Sequence, residues 1–164
     1  MAAALTLLRR FVALSLLGLW LGGLTFYALR VIRHAHQVIG SHLKVGFVTR
    51  LVTNDLNAIG AGALALLLGN LLLSWRRVGP WQRRTLAATW TIAAAGLVWG
   101  ILIHARLDAM LDVPARQVRE GASFHGPHEL YLIATAIQWF AGLAHLAACL
   151  AAWRREDSVS PDRT

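Results

Sequence analysis

Four apolar runs constrain this chain more than any other feature. They lie at about 11–31, 56–75, 86–103 and 130–153. Each is close to the roughly 20 residues that carry an α-helix across a bilayer core. Between them stand short polar stretches, so the second run ends at "RRVGPWQRR", where Gly79 and Pro80 break the helix. In lipid every backbone N–H and C=O must be bonded internally, which leaves the helix as the element for runs of this length. The reading is all-α: an integral membrane four-helix up-down bundle, residues 1–155, followed by a polar tail at 156–164 that is expected to be disordered.

Composition agrees. Of 164 residues 57% are hydrophobic and 15% charged, more apolar surface than a soluble domain of this size can hide. The formal charge of +8 does not point to nucleic acid, because the basic residues sit in short groups beside the apolar runs, where they meet lipid headgroups. The expected partner is the lipid bilayer. The first run is too long for the apolar part of a secretion signal and no small-x-small site follows it, so it reads as a retained span. The single cysteine, Cys149, lies in the last run and reads as a small buried hydrophobe.

Basic residues also set orientation. Arg9, Arg10, Arg76, Arg77, Arg83, Arg84, Arg154, Arg155 and Arg163 share one side. Arg30, Arg33, Lys44, Arg50, Arg106, Arg116 and Arg119 share the other. The densest group is the tight loop after the second run, which places both termini in the cytoplasm of a bacterial inner membrane. Trp75, Trp81 and Trp153 fit an aromatic belt on that side. Residues 33–55 read either as a helix lying in the interface or as an early start of the second span. Gly18 with Gly22, Gly96 with Gly100, and Gly60 with Gly62 supply small faces for close helix packing, within the chain or in a homo-oligomer.

The polar residues are unevenly shared. Arg30, Asn54, Asn57, His104, Arg106, Asp108, His128, Tyr131 and Gln138 all fall in the half of the bundle away from the termini. His104, Asp108 and Asp112 recur every four residues and so share a helix face. His128, Tyr131, Thr135, Gln138, Gly142 and His145 form a stripe on the last span, and Phe26, Arg30 and His34 one on the first. Charged groups within a span face a cavity or one another. The stripes are therefore expected to converge, with His104, Arg106, Asp108, His128 and Gln138 in one hydrogen-bonded network.

Three functions compete for that cluster. It can be structural or regulatory, holding the bundle together. It can bind a small ligand, or zinc or copper through His104, Asp108 and His128, since imidazole and carboxylate suit those ions. It can serve a small ion or solute transporter, with Asn70 or His145 midway. The chain has no HExxH, CxxC or Met-rich tract, so no cofactor is predicted outright. Haem is disfavoured because His104 and His145 differ in depth by roughly 20 Å. Ser15, Ser74 and Cys149 lie in apolar runs without a histidine and carboxylate at recognisable spacing, and Ser123 with His125 and His128 forms a loop cluster of no known logic, which argues against an enzyme.

Longer stretches carry a family resemblance. "LWLGGLTFYALRVI", "GSHLKVGFVTRLVTNDLNAIG", "HARLDAMLD" and "SFHGPHELYLIATAIQWFAGLAHLAACLAAWRRED" resemble a family of bacterial four-span membrane proteins of unknown function, itself distantly similar to the transmembrane protein 205 family. The resemblance covers nearly the whole chain and implies a four-helix membrane protein without an assigned activity. It draws attention to Arg30, Asn54, Asn57, His104, Arg106, Asp108, His128, Tyr131, Gln138 and Trp139. The "WLGGLTF" stretch also resembles copper-handling four-span proteins, whose copper motif this chain lacks.

Overall fold

The computed structural model describes residues 2–115, 117–119 and 123–159. Four long helical rods are joined by short connections. The first comprises α1 (Ala2–Phe26), a π-helical turn at Tyr27–Val31, and α2 (Ile32–Ile39), with right-handed helical backbone through both junctions. It stops at Gly40, whose φ of 65° requires a residue without a Cβ penalty. Ser41 then caps α3 (His42–Ser74), its hydroxyl accepting from the Lys44 N–H. Pro80 opens α4 (Pro80–Ala109), where its missing N–H costs nothing. A two-residue antiparallel ladder, β1 (Leu111–Asp112) with β2 (Gln117–Val118), bridges to α5 (His125–Val159). Asp112 holds its turn by accepting from the Ala115 N–H at 3.1 Å.

All four rods are long and apolar enough to cross a membrane, the mark of a multi-pass membrane protein. They overrun the apolar runs because polar flanks stay helical beyond the hydrocarbon zone. Residues 32–39 prolong the first rod and 42–55 form the first turns of α3, so the early start of the second span is what the chain adopts.

The rods close a ring. α1 packs on α3, α3 on α4, α4 on α5, and α5 returns to α1, with the α4–α5 contact the most extensive. The core is apolar, centred on Leu17, Trp20, Leu67 and Ala93. Lipid tails are as apolar as leucine, so the hydrophobic effect cannot by itself join helices in a bilayer. A polar clamp spans each neighbouring pair instead. Tyr27 donates to the Thr49 carbonyl at 3.2 Å, Trp90 to the Leu64 carbonyl at 2.8 Å, and Trp139 to the Thr25 hydroxyl at 2.8 Å. Gln138 donates to the Gly96 carbonyl at 3.0 Å, and Thr89 Oγ1 lies 2.8 Å from His145 Nδ1.

Close packing explains some of the glycine pairs. A Cβ on Gly60 would stand 2.5 Å from the Trp20 ring, and one on Gly100 2.8 Å from Gln138 Nε2. Gly18 and Gly22 differ: both face outward, with nothing within 4 Å of where a Cβ would stand. The expected aromatic belt is also thinner than its sequence. Trp75 and Trp81 are exposed, but Trp153 is buried beneath the Arg10 guanidinium, 5.1 Å from its ring.

Candidate functional site

The end of the bundle away from the termini contains a polar cleft between α3 and α4. Arg50, Asn54 and Asn57 recur at steps of four and three on α3, so one stripe carries them toward α4. On α4, His104 and Asp108 stand one turn apart, with Nδ1 and Oδ2 3.9 Å from each other, too far for a hydrogen bond. Arg50 Nε lies 2.9 Å from Asp108 Oδ1. Its N–H is not directed at that oxygen and has no hydrogen-bond partner, so the contact is an ion pair held by charge.

The cleft has a volume of about 300 Å³. Asn54, Asn57, Ala58 and Ala61 form one wall and Ile101, His104, Ala105 and Asp108 the other. Three alanines leave room that larger side chains would fill. α5 backs the site: the Tyr131 ring lies 5.9 Å from that of His104. Buried Thr53 faces the phenols of both Tyr27 and Tyr131, so all four rods contribute polar groups to this layer.

A scan of protein-family models, a search of curated proteins and a search of solved structures each gave no significant match.

Four of the residues singled out in the sequence, Asn54, Asn57, His104 and Asp108, line the cleft, and Tyr131 stands behind it. The wider network expected among His104, Arg106, Asp108, His128 and Gln138 does not form. Arg106 is two residues from His104, nearly half a helical turn around α4, and is exposed on the other side. His128 lies in the first turn of α5, exposed and stacked on Phe124 at 6.1 Å. Gln138 is roughly 15 Å further along the same helix and is bonded to Gly96 instead. His128 thus stands apart from the other two residues expected to hold a metal, and no group of three or more His, Cys, Asp or Glu among the described residues is placed to hold one.

The first-rod stripe is also corrected. Phe26, Arg30 and His34 are exposed, because the face of α1 that packs inward carries Ala13, Leu17, Trp20 and Leu24. On the last rod the stripe turns inward only below His128: Gln138, Gly142 and His145 are buried. The Asp108 partner, Arg50, is not in the polar set expected from sequence, because it sits upstream of the second apolar run. Its spacing to Asn54 and Asn57 was the signal that could have found it.

Chemically, the two amides and the imidazole offer both donors and acceptors, while Asp108 accepts and has its charge partly offset by Arg50. Ile101 and the alanines offer an apolar surface beside them. Cys149, the chain's one thiol, is buried in the core.

Proposed function

We propose that this chain is a multi-pass protein of a bacterial inner membrane, termini in the cytoplasm, that binds a small amphipathic organic ligand in the α3–α4 cleft. The resemblance to the four-span family related to transmembrane protein 205 belongs to the same proposal. The observation that carries it is the cleft: four polar side chains, Asn54, Asn57, His104 and Asp108, beside an alanine-lined recess of about 300 Å³. Ligand sites combine a mostly apolar wall with a few placed polar groups, and this volume is at the small end of their range. The polar head of the ligand meets the amides and His104; its apolar part lies along Ala58, Ala61 and Ile101.

A second reading makes the polar layer a structural lock, and the Arg50–Asp108 contact at 2.9 Å favours it. Both partners are about a quarter exposed, so such a pair contributes roughly 0.2–1 kcal/mol. That is too little to be the sole reason for a polar layer drawn from every rod.

The test is organic extraction of the detergent-purified protein with mass spectrometry, alongside elemental analysis. A small amphipathic molecule enriched over bulk lipid, and lost in Asn57→Leu, supports the ligand reading. Near-stoichiometric zinc or copper lost in His104→Ala would replace it with a metal centre. Neither, in a folded protein, would leave the structural lock.

A further inference from the structure

The other end of the bundle carries a second site, independent of the cleft. The start of α1, the end of α3, the start of α4 and the end of α5 meet there. They bring together Arg9, Arg10, Arg76, Arg77, Arg83, Arg84, Arg154 and Arg155. The carboxylates described there are Glu156 and Asp157, and both are taken by Arg10, at 2.6 and 3.0 Å. Among the described residues Arg76, Arg77, Arg83 and Arg84 form no ion pair. Arg9 is attracted by Glu156 but repelled by Arg10 and Arg77, and its Nε is buried without a hydrogen-bond partner. This end therefore holds more cationic donors than the chain itself can satisfy.

Part of that excess is arranged around a groove. Leu72, Leu73, Trp75, Arg76 and Arg77 line an open depression of about 540 Å³ at the last turn of α3 and the turn that follows. The two leucines are 63% and 66% exposed and belong to the lipid-facing side of the helix. Trp75 sits where the apolar run ends, with the Arg83 guanidinium 5.5 Å from its ring. Arg76 and Arg77, next to each other in the chain, also line it. Along the chain the order is two leucines, an aromatic and two arginines. A phospholipid presents the matching order of acyl chain, glycerol interface and phosphate.

We propose that this groove binds an anionic phospholipid, with its phosphate on Arg76 and Arg77 and an acyl chain against Leu72 and Leu73. Charge complementarity selects an anionic headgroup, and basic pockets beside membrane helices take such lipids. The apolar wall distinguishes a lipid from a free phosphate, which needs none. Arg154 and Arg155 provide the internal control, since they are exposed at the same end but lie outside the groove.

The experiment uses the full chain in detergent at physiological salt, titrated with phosphatidylglycerol or phosphatidylcholine and read by native mass spectrometry. Circular dichroism checks that each variant folds. Phosphatidylglycerol is expected to bind in preference to phosphatidylcholine. Arg76→Gln with Arg77→Gln is expected to weaken it about tenfold to thirtyfold, from the usual contribution of an arginine near anionic lipid. Arg154→Gln with Arg155→Gln should weaken it markedly less, because neither residue lines the groove. Leu73→Ser should weaken lipid binding with every arginine in place. Equal losses in the two arginine pairs would overturn the proposal in favour of diffuse attraction. Displacement of the lipid by millimolar inorganic phosphate would overturn it in favour of a simple anion site. Equal binding of the two lipids would overturn it outright.

Discussion

Gln138 on α5 donates its side-chain amide to the main-chain carbonyl of Gly96 on α4, at 3.0 Å and with the glutamine 2% exposed. A buried amide is costly without a partner. Here it finds one because glycines at 96 and 100 let the two helices approach. Gln138→Leu is expected to lower stability by about 0.5–2 kcal/mol, the range for interhelical hydrogen bonds in membranes. Gly100→Ala should cost a similar amount, because its new Cβ would push Gln138 Nε2 off Gly96. The double variant should lose little more than either single one, as both changes break the same bond. Thermal unfolding in one detergent checks this. Full additivity would show that the two residues act independently.

The Trp20 ring presses on Gly60, and Trp20 is wholly buried. A Cβ at 60 would meet the rigid indole rather than the tip of a flexible chain. Gly60→Ala is expected to destabilise by about 1–3 kcal/mol through overpacking. Trp20→Phe in the same chain should restore part of that loss, since the smaller ring vacates the contact and the indole N–H has no partner to lose. Gly18→Ala and Gly22→Ala, on the outward face of α1, should change stability by less than about 0.5 kcal/mol. The same melting measurement ranks all four.

These contacts show what was legible in the sequence. The four rods follow from run length alone, because a bilayer permits little else for 20 apolar residues. Which polar residues meet did not follow. His104 with Asp108 was readable, since i and i+4 share a helix face whatever the fold. Arg106 lies between them in the chain, but its angular position puts it on the opposite side of α4. Arg30 and Arg50 are both single cations near span ends. Only the rotation of each rod about its axis separates them, and that is set by packing such as Trp20 on Gly60. Depth was the remaining difficulty: Gln138 lies in the right stripe but at the level of Gly96, below the cleft.

Arg10 ties the two ends of the chain together. It bonds Glu156 at 2.6 Å, where both side chains are largely buried, and Asp157 at 3.0 Å, where the carboxylate is 67% exposed. The two carboxylates should therefore contribute unequally. Glu156→Gln is expected to cost about 1.5–3 kcal/mol, as for a charge-assisted hydrogen bond away from water. Asp157→Asn should cost no more than about 1 kcal/mol, as for an exposed pair. Unfolding of each variant decides the order, and high salt should weaken the Asp157 contribution first.

The most direct test of the central claim is to fill the α3–α4 cleft and ask whether a bound molecule leaves. Ala58 lines the recess and is exposed to it, so Ala58→Phe occupies the space with little strain on the core. Native mass spectrometry of wild type and variant, purified identically, reads the retained mass. The account predicts an added small-molecule mass on the wild type that is absent from a variant of unchanged melting temperature. The same mass on both proteins, or on neither, would contradict it.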